Sequence, residues 1–194
     1  DQVDAIRTKR RRMLDDVEPL IHSVYDSMFG NLPLDTPLSL VCSRITDGTH
    51  QSPEWEDHGI PFLFISNITS GEINLESDRS ISEKTWAKLM EHAMIETGDV
   101  LYSTVGSYGI PAVVRTSKPF AFQRHIAHIK PEQKLIDSDF LAVQLSSPAL
   151  QRQASSVARG IAQPTINLRD IKNFHIAVPS RRHQEQFTSI VRHI

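Results

Sequence analysis

Apolar residues recur every three, four or seven positions over the first 28 residues, and this spacing constrains the fold most. Such a stripe lies on one side of an α-helix, and a repeat near 3.5 residues suits a coiled coil. The stripe consists of Val3, Ile6, Met13, Val17, Leu20 and Val24. The sequence therefore predicts a long helix over residues 1–30, ended by Gly30, whose apolar side needs a covering partner.

A second apolar stripe stands at the other end of the chain, after Ser180. Its members are Phe187, Ile190, Val191 and Ile194. They fall at i, i+3, i+4 and i+7, so residues 180–194 are predicted to start another helix, capped by Ser180. We expect the two stripes to pack on each other, on partner helices or on a second copy of the chain.

Residues 31–179 contain short β-branched or aromatic runs between turn residues, without β-α-β alternation. Strands are predicted at 38–45, 61–68, 100–105, 110–115, 121–129 and 174–178, and short helices at 82–91, 139–145 and 149–158. The first two helices have capping residues, Ser82 and Asp137 or Ser138. The expected fold class is α+β: a domain with a mixed, twisted or barrel-like sheet, flanked by long coiled-coil-type helices.

Bulk composition excludes several classes of protein. The 194 residues are 39% hydrophobic, and no apolar run approaches the ~20 residues of a membrane span. Cys42 is the only cysteine, which argues against a disulfide framework or a thiolate metal cluster and fits a reducing cytoplasm. The chain opens on Asp1 without an initiator Met, so we expect the natural chain to be longer.

Charge is divided unevenly along the chain. Residues 1–100 carry 9 Lys and Arg against 18 Asp and Glu, whereas residues 101–194 carry 12 against 5. A basic second half could contact nucleic-acid phosphates. Alternatively, the two halves need not correspond to two faces of the folded protein.

Three loop segments combine glycine with hydrogen-bonding side chains, which is typical of groups that approach DNA, and one predicted strand carries further hydrogen-bonding side chains. On the strand, Gln123 and Arg124 are the residue types that pair with adenine and guanine. The candidate DNA-binding residues are Arg44, Thr46, Asp47, Gly48, Thr49 and His50; Ser103, Thr104, Gly106, Ser107 and Tyr108; Gln123, Arg124 and His125; and Arg159, Gln163, Thr165 and Asn167.

Each segment also has an explanation without DNA. The first could be a turn in which Asp47 bonds its own neighbours, and the second a hairpin with a half-buried Tyr108. Arg124 could serve a structural ion pair. The last segment could be a helix C-cap followed by a proline turn.

Enzymatic alternatives have weaker support. Asp99, Glu132 and Lys134 have the residue types of a metal-dependent nuclease, but Pro131 suggests a turn there. Asp47 and His50 could act as an acid/base pair of a hydrolase, although no third group supports them. The His residues show no metal-ligand spacing, and there is no GxxxxGK[ST] loop or [ND]PP[YFW] sequence. We therefore expect no catalysis, no metal and no cofactor on this chain.

The chain resembles one half of the specificity subunit of a type I restriction-modification system. The stretches that carry the resemblance, in order, are SVYDSMFGN, ITDGTHQSP, GIPFLFISNI, GDVLYSTVGSYGIPAVV, QRHIAHIKP, GIAQPTINLRDIKNFHIAVP and HQEQF. The resemblance implies a target recognition domain at 31–179, preceded by the end of one spacer helix at 1–30 and followed by the start of the next at 180–194. It places DNA contact at the ITDGTH and STVGSYG loops and near Gln123, Arg124, Gln163 and Thr165.

In such a family, two recognition domains each recognise half of a bipartite double-stranded DNA site. Methyltransferase subunits that use S-adenosylmethionine bind this scaffold, and motor-nuclease subunits that use ATP and Mg cut unmodified DNA in a bacterial or archaeal cytoplasm. With a single recognition domain, the chain is expected to be part of a two-domain subunit or a half-subunit that dimerises through its terminal helices.

Overall fold

The computed structural model describes residues 17–91 and 94–194. Residues 17–29 are helical and are called α1 here. The other helices are α2 (Glu83–Met90), α3 (Ser138–Ser146), α4 (Pro148–Val157), α5 (Leu168–Lys172) and α6 (Arg181–Val191). The strands are β1 (Thr36–Pro37), β2 (Cys42–Asp47), β3 (Ile60–Leu63), β4 (Ser80–Ile81), β5 (Val100–Ser103), β6 (Pro111–Val113), β7 (Ala121–Phe122), β8 (Ile126–Pro131) and β9 (His175–Ile176).

A four-stranded antiparallel sheet in the order β2-β8-β5-β6 lies at the centre of the domain. Strand β8 pairs with β2 on one side, where Asp47 faces Ala127, and with β5 on the other, where Ser103 faces Ile126. The last residues of β2 and β5 and the first residue of β8 therefore lie at the same end of the strands. The loop after β2, the loop after β5 and the turn before β8 all lie at that end.

Two smaller sheets complete the strand pairing. Strands β4, β3 and β7 form a three-stranded sheet in which β3 and β7 run parallel, and β1 pairs with β9. The α+β prediction is confirmed, with both parallel and antiparallel pairing. A single sheet was expected, however, and the described residues form three, because the chain turns at residues 123–125 from β7 into β8.

The predicted short helices are present within one or two residues of their expected ends. Ser82 caps α2 by accepting from the Thr85 amide, and Asp137 caps α3 by accepting from the Asp139 and Phe140 amides. Ser180 occupies the N-cap position of α6, but its hydroxyl lies 3.1 Å from His183 Nδ1 and makes no capping bond to the backbone. Helix α5 was not predicted, since its five residues are too few for periodicity to register.

The two terminal helices pack together on α3 through a cluster of four aromatic rings. Phe29 lies 5.1 Å from Phe140 and 5.6 Å from Phe187, centroid to centroid, and Tyr25 lies 5.9 Å from Phe187. Most of these pairs meet edge to face, the arrangement that ring quadrupoles favour. Tyr25 and Phe187 come from opposite ends of the sequence, so this cluster fastens both ends of the described chain to one core.

A buried glutamine adds polar contacts to the same junction. Gln184 of α6 is fully buried, and its side chain accepts from the Asp137 amide while donating to the carbonyls of Leu135 and Pro179. All of these partners are backbone groups of the segments that α6 covers. Because a buried amide without partners would be costly, this arrangement sets the position of α6 on the domain.

This packing corrects part of the predicted partner surface. Phe187 was expected to contact a partner helix, but it belongs to the domain's own core, because the aromatic rings of α1 and α3 enclose it. The remaining stripe residues are half-buried at Val17, Val24 and Val191 and exposed at Leu20, Ile190 and Ile194. Val3, Ile6 and Met13 lie outside the described residues. The long coiled-coil-type flanks are not seen in the described part of the chain, where α6 spans 11 residues.

A network of charged and polar side chains connects β8 with the residue before β5. The Asp99 carboxylate is 2.7 Å from His128 Nε2 and 3.1 Å from Lys130 Nζ, and it accepts from the Glu96 amide. Burial by itself would raise the pKa of Asp99, but the hydrogen bonds from His128, the Glu96 amide and Lys130 lower it below the ordinary value. Asp99 therefore carries its charge in the folded domain.

Across the described segments, no helix has the length and apolar character that a membrane span requires.

We expect Phe187→Ala to lower the free energy of unfolding by about 3–5 kcal/mol, because it leaves a cavity among packed rings. Ile190→Ala on the same helix is the matched control. Ile190 is 39% exposed, so its truncation should cost only about 0.5 kcal/mol. Urea unfolding of both variants measures the difference. Equal effects would contradict the assignment of Phe187 to the domain core.

Asp99→Asn should lower the free energy of unfolding at pH 7 by about 3–5 kcal/mol, because it leaves the buried His128 without a carboxylate partner and Lys130 with Glu96 alone. The lowered pKa of Asp99 stabilises the fold above its unfolded value of about 3.9, and this stability is lost as the pH falls through the folded-state pKa. Unfolding measured from pH 7 to pH 3 should thus show less acid destabilisation in the variant than in the wild type.

Glu96→Gln is the control for the Asp99 variant, since Glu96 contacts the same Lys130 but is largely exposed. It should cost about 1 kcal/mol or less. If Asp99→Asn kept the full acid dependence of the wild type, the network would not be its source.

Candidate nucleic-acid interface

The loop after β2 packs directly on the turn between β7 and β8. The Thr49 amide donates to the Phe122 carbonyl at 3.2 Å, and the Arg124 amide donates to the Thr49 carbonyl at 3.1 Å. A Cβ on Gly48 would lie 2.1 Å from the Phe122 carbonyl oxygen. Only glycine permits this approach, so Gly48 is what lets the two segments join.

The β7–β8 turn is bonded in the same way to the loop after β5. The Thr104 amide and hydroxyl both donate to the His125 carbonyl, at 3.0 and 2.9 Å. Thr104 is buried, and the hydroxyl of its buried neighbour Ser103 accepts from the Ile110 amide. The side chains of Ser103 and Thr104 are therefore used inside the protein. The prediction that they contact DNA does not agree with their burial.

The fourth segment is fastened to the loop after β5. The Ile166 amide donates to the Thr104 carbonyl, and the Gly106 amide donates to the Pro164 carbonyl, both at 2.9 Å. Arg159 and Thr165 exchange amide-to-carbonyl hydrogen bonds at 3.0 and 2.8 Å, which closes the loop between them. These residues form isolated bridges outside the named strands.

Backbone bonds thus bring all four predicted segments into one surface, called here the four-loop surface: residues 46–50, 103–108, 123–125 and 159–167. Among the predicted contact residues on this surface, the exposed ones are His50, Gly106, Ser107, Arg124, Arg159, Gln163 and Asn167, and the half-buried ones are Thr46, Asp47, Gly48, Thr49, Tyr108, Gln123, His125 and Thr165. Of the candidate residues outside it, Arg44 is exposed, lies opposite Lys130 in the sheet and lines a shallow cavity with Glu91 and Lys130. Arg44 is therefore three residues away from the loop end of β2.

Residues 121–129 were predicted as one strand, and this prediction is wrong for residues 123–125. Arg124 and His125 form a turn, which the Ile126 amide closes by donating to the Gln123 carbonyl. The reason is topological, because the chain must change sheets between β7 and β8. The turn places the Arg124 side chain outward at the sheet edge, where it is exposed.

The structure agrees with the interpretation of the Tyr108 segment as a hairpin with a half-buried tyrosine. The loop of residues 104–110 connects antiparallel strands β5 and β6, and the half-buried Tyr108 ring packs against the main core. Its hydroxyl lies 3.4 Å from Ser155 Oγ on α4. Gly106 and Ser107 are the exposed residues of this loop.

The turn interpretation also describes part of the first loop. Asp47 Oδ2 lies 2.9 Å from His50 Nε2, and the Thr49 hydroxyl donates to the Gln51 carbonyl. Asp47 is the only carboxylate residue within the four segments. Its contact with His50 leaves the rest of the surface without a competing negative side chain.

The two arginines of the four-loop surface are available for an anionic ligand. No carboxylate of the described residues lies within ion-pair distance of Arg124 or Arg159, so the structural ion pair considered for Arg124 is absent there. Arg124 Nε donates to His125 Nε2 at 3.4 Å. Burial and the Arg124 charge lower the pKa of His125, which keeps the imidazole neutral and able to accept at pH 7.

The nuclease alternative gains no support from the structure. The Asp99 carboxylate is occupied by His128 and Lys130, while Glu132 and Lys134 are exposed in the turn that follows β8. Over residues 17–91 and 94–194, no three His, Cys, Asp or Glu side chains are grouped to bind a metal ion. The hydrolase alternative still has only two candidate residues, Asp47 and His50.

One conspicuous residue of the four-loop surface was not among the predicted contacts. Ile161 projects from the loop that Arg159 and Thr165 close, and its side chain is fully exposed. The sequence offered only a weak signal, an isoleucine between Gly160 and Ala162. Neighbouring letters alone do not distinguish a buried isoleucine from an exposed one.

The chain is similar to known proteins over most of its length. Residues 46–193 match the family model described as the type I restriction modification DNA specificity domain. Over 136 residues the chain is 32% identical to the type I restriction enzyme EcoBI specificity subunit of Escherichia coli, an alignment that covers 70% of this chain and 28% of that protein.

Solved structures share the fold. The HsdS subunit from Thermoanaerobacter tengcongensis superposes with a TM-score of 0.64 at 20% identity, covering 99% of this chain and 46% of the other. A chain from a structure on complex assembly and conformational transition of the type I R-M system gives the same TM-score and identity, with coverages of 99% and 47%.

The chain spans less than a third of the curated relative and about half of the solved chains. The family match nevertheless covers most of this sequence, including the entire four-loop surface. This chain belongs to the type I restriction modification DNA specificity domain family.

Proposed function

We propose that this chain is a non-catalytic module that recognises one half of a bipartite double-stranded DNA target through the four-loop surface. The observation that carries the proposal is the joining of four separate segments by backbone hydrogen bonds into one surface. Backbone contacts hold the loops, and exposed side chains such as Arg124, Arg159 and Gln163 are left to face a ligand. Arg and Gln side chains are suited to guanine and adenine edges, and Arg also to phosphates.

Electrostatics supports a nucleic-acid ligand. The four-loop surface has two arginines without carboxylate partners among the described residues and one carboxylate, which is engaged by His50. A polyanion would gain from both features, because each phosphate contact releases counterions. Arg124 and Arg159 are two of the 12 Lys and Arg residues in the basic second half of the sequence.

The proposal extends to partners. The relatives are specificity subunits and a chain from a type I R-M system, which supports assembly with methyltransferase subunits and, through them, a restriction motor-nuclease in the bacterial or archaeal cytoplasm. S-adenosylmethionine, ATP and Mg would then be bound by those subunits. The recognition domain at 31–179 would be linked by its terminal spacer helices, 1–30 and 180–194, to a second recognition domain or a second copy. Leu20, Ile190 and Ile194 are the exposed apolar side chains available for that packing.

The target is obtained first, by methylome sequencing of the host with and without the gene; loss of one bipartite adenine mark identifies it. Arg124→Ala with Arg159→Ala should then weaken binding of the assembled methyltransferase complex to that duplex by tenfold or more. If both contact phosphates, the slope of log affinity against log salt should fall by about 1.8. Fluorescence anisotropy over a salt series measures both quantities.

Arg115→Ala is the matched control for the arginine variants. Arg115 is also exposed and lies in the basic half of the chain, but it is paired with Asp139 on α3. It should leave affinity unchanged. Equal affinity of the double variant and the wild type at every salt concentration would reject the proposal.

Gly48→Ala tests whether the joining of the loops matters for binding. The added Cβ would collide with the Phe122 carbonyl, so the first loop must separate from the β7–β8 turn, at a cost of about 1–3 kcal/mol in unfolding free energy. Target affinity should fall at least tenfold while the far-ultraviolet circular dichroism stays unchanged.

Gly71→Ala is the control, since φ at Gly71 is 76° but its Cβ would meet only the Pro111 carbonyl oxygen, at an ordinary van der Waals distance of 3.9 Å. It should cost about 1–2 kcal/mol of backbone strain and leave DNA affinity unchanged. Wild-type affinity in the folded Gly48→Ala variant would show that the loop junction is not needed.

A further inference from the structure

Ile161 has the environment of a contact residue and not of a core residue. Its relative exposure is 104%, although the chain leaves most of its other isoleucines buried or half-buried. Leaving an isoleucine side chain in water forgoes about 1.5–3 kcal/mol relative to burying it. No described element of the domain covers it.

Hydrogen bonds and a glycine conformation fix the loop that carries Ile161. Arg159 and Thr165 close it with two hydrogen bonds, and the Pro164 carbonyl accepts from Gly106. Gly160 has φ of 102°, which a residue with a side chain rarely adopts. The Thr165 hydroxyl also donates to the Gln163 carbonyl. The hydrogen bonds at the base of this loop thus hold the Ile161 side chain, the apolar tip, in its exposed position.

The surroundings of the tip restrict its ligand. Residues 158–168 contain Arg159 and no carboxylate, and the base of the loop is bonded through Pro164 to the exposed Gly106. The ligand should therefore combine negative charge with an accessible apolar group. Duplex DNA has both, because the thymine C5-methyl group projects into the major groove between the phosphate backbones.

We infer that Ile161 is a specificity-determining residue that packs against a thymine methyl group in the major groove, next to a backbone contact of Arg159. This inference rests on the proposed function of the four-loop surface. It adds an apolar contact to a set of residues that otherwise recognise DNA by hydrogen bonds and charge. It also gives a role to the exposed tip between Gly160 and Gln163.

Deoxyuridine scanning tests the inference, since deoxyuridine lacks only the C5-methyl group of thymidine. The natural full-length chain, assembled with its methyltransferase subunits, is titrated with target duplexes in which each thymine is replaced in turn. The wild type should lose about threefold to fivefold in affinity at one or two positions, as expected for one buried methyl group. Ile161→Ala should bind the thymine duplex with that reduced affinity and no longer distinguish deoxyuridine there.

Leu135→Ala is the matched control, because Leu135 is also an exposed apolar residue but lies in the turn after β8. It should keep the wild-type response at every position. Thermal unfolding checks that Ile161→Ala is as stable as the wild type, which its exposure predicts.

The outcomes separate the two proposals. If the wild-type complex does not bind the target at all, the proposed function fails. If it binds but no thymine replacement matters, or if Ile161→Ala keeps the wild-type pattern, only the assignment of Ile161 is overturned. Loss of subunit assembly with unchanged DNA affinity would likewise overturn it, by placing Ile161 at a protein contact.

Discussion

Backbone hydrogen bonds between loops are the interaction on which the rest of this structure depends. The links run from Thr49 to Arg124, from His125 to Thr104, and from Thr104 to Ile166. Each uses amide and carbonyl groups that every residue except proline supplies in full. The loops can therefore be held in place while their side chains remain free to differ, which is the arrangement that a DNA-recognition surface needs. The exception is Gly48, where the close approach to Phe122 excludes any side chain.

Away from the four-loop surface, the central strand β8 carries two polar side chains, His128 and Lys130, that are paired with a carboxylate. Asp99, His128 and Lys130 form a network at the end of β8 that is distant in register from the loops. The charged carboxylate is engaged there by His128 and Lys130, which stabilises the folded domain.

Within the main core, the aromatic cluster of Tyr25, Phe29, Phe140 and Phe187 connects the terminal helices to the rest of the domain. A ligand bound at the loops and a partner bound at the terminal helices would thus contact one packed body. The helices keep separate inner and outer sides. Phe187 faces inward, whereas Leu20 and Ile190 remain exposed for packing beyond the domain.

The sequence by itself determined the short helices, most strand positions and the family resemblance. Ser82 and Asp137 cap helices by bonding residues two or three positions away, so neighbouring letters suffice to predict them. Only the tertiary structure decided that residues 123–125 turn between two sheets, that Ser103 and Thr104 are buried, that Phe187 faces the core and that Ile161 faces solvent. Those outcomes depend on contacts between residues far apart in the chain, such as Thr49 with Arg124 and Tyr25 with Phe187. Periodicity and capping carry no information about which distant segment closes on which, because that depends on how the whole chain folds back on itself.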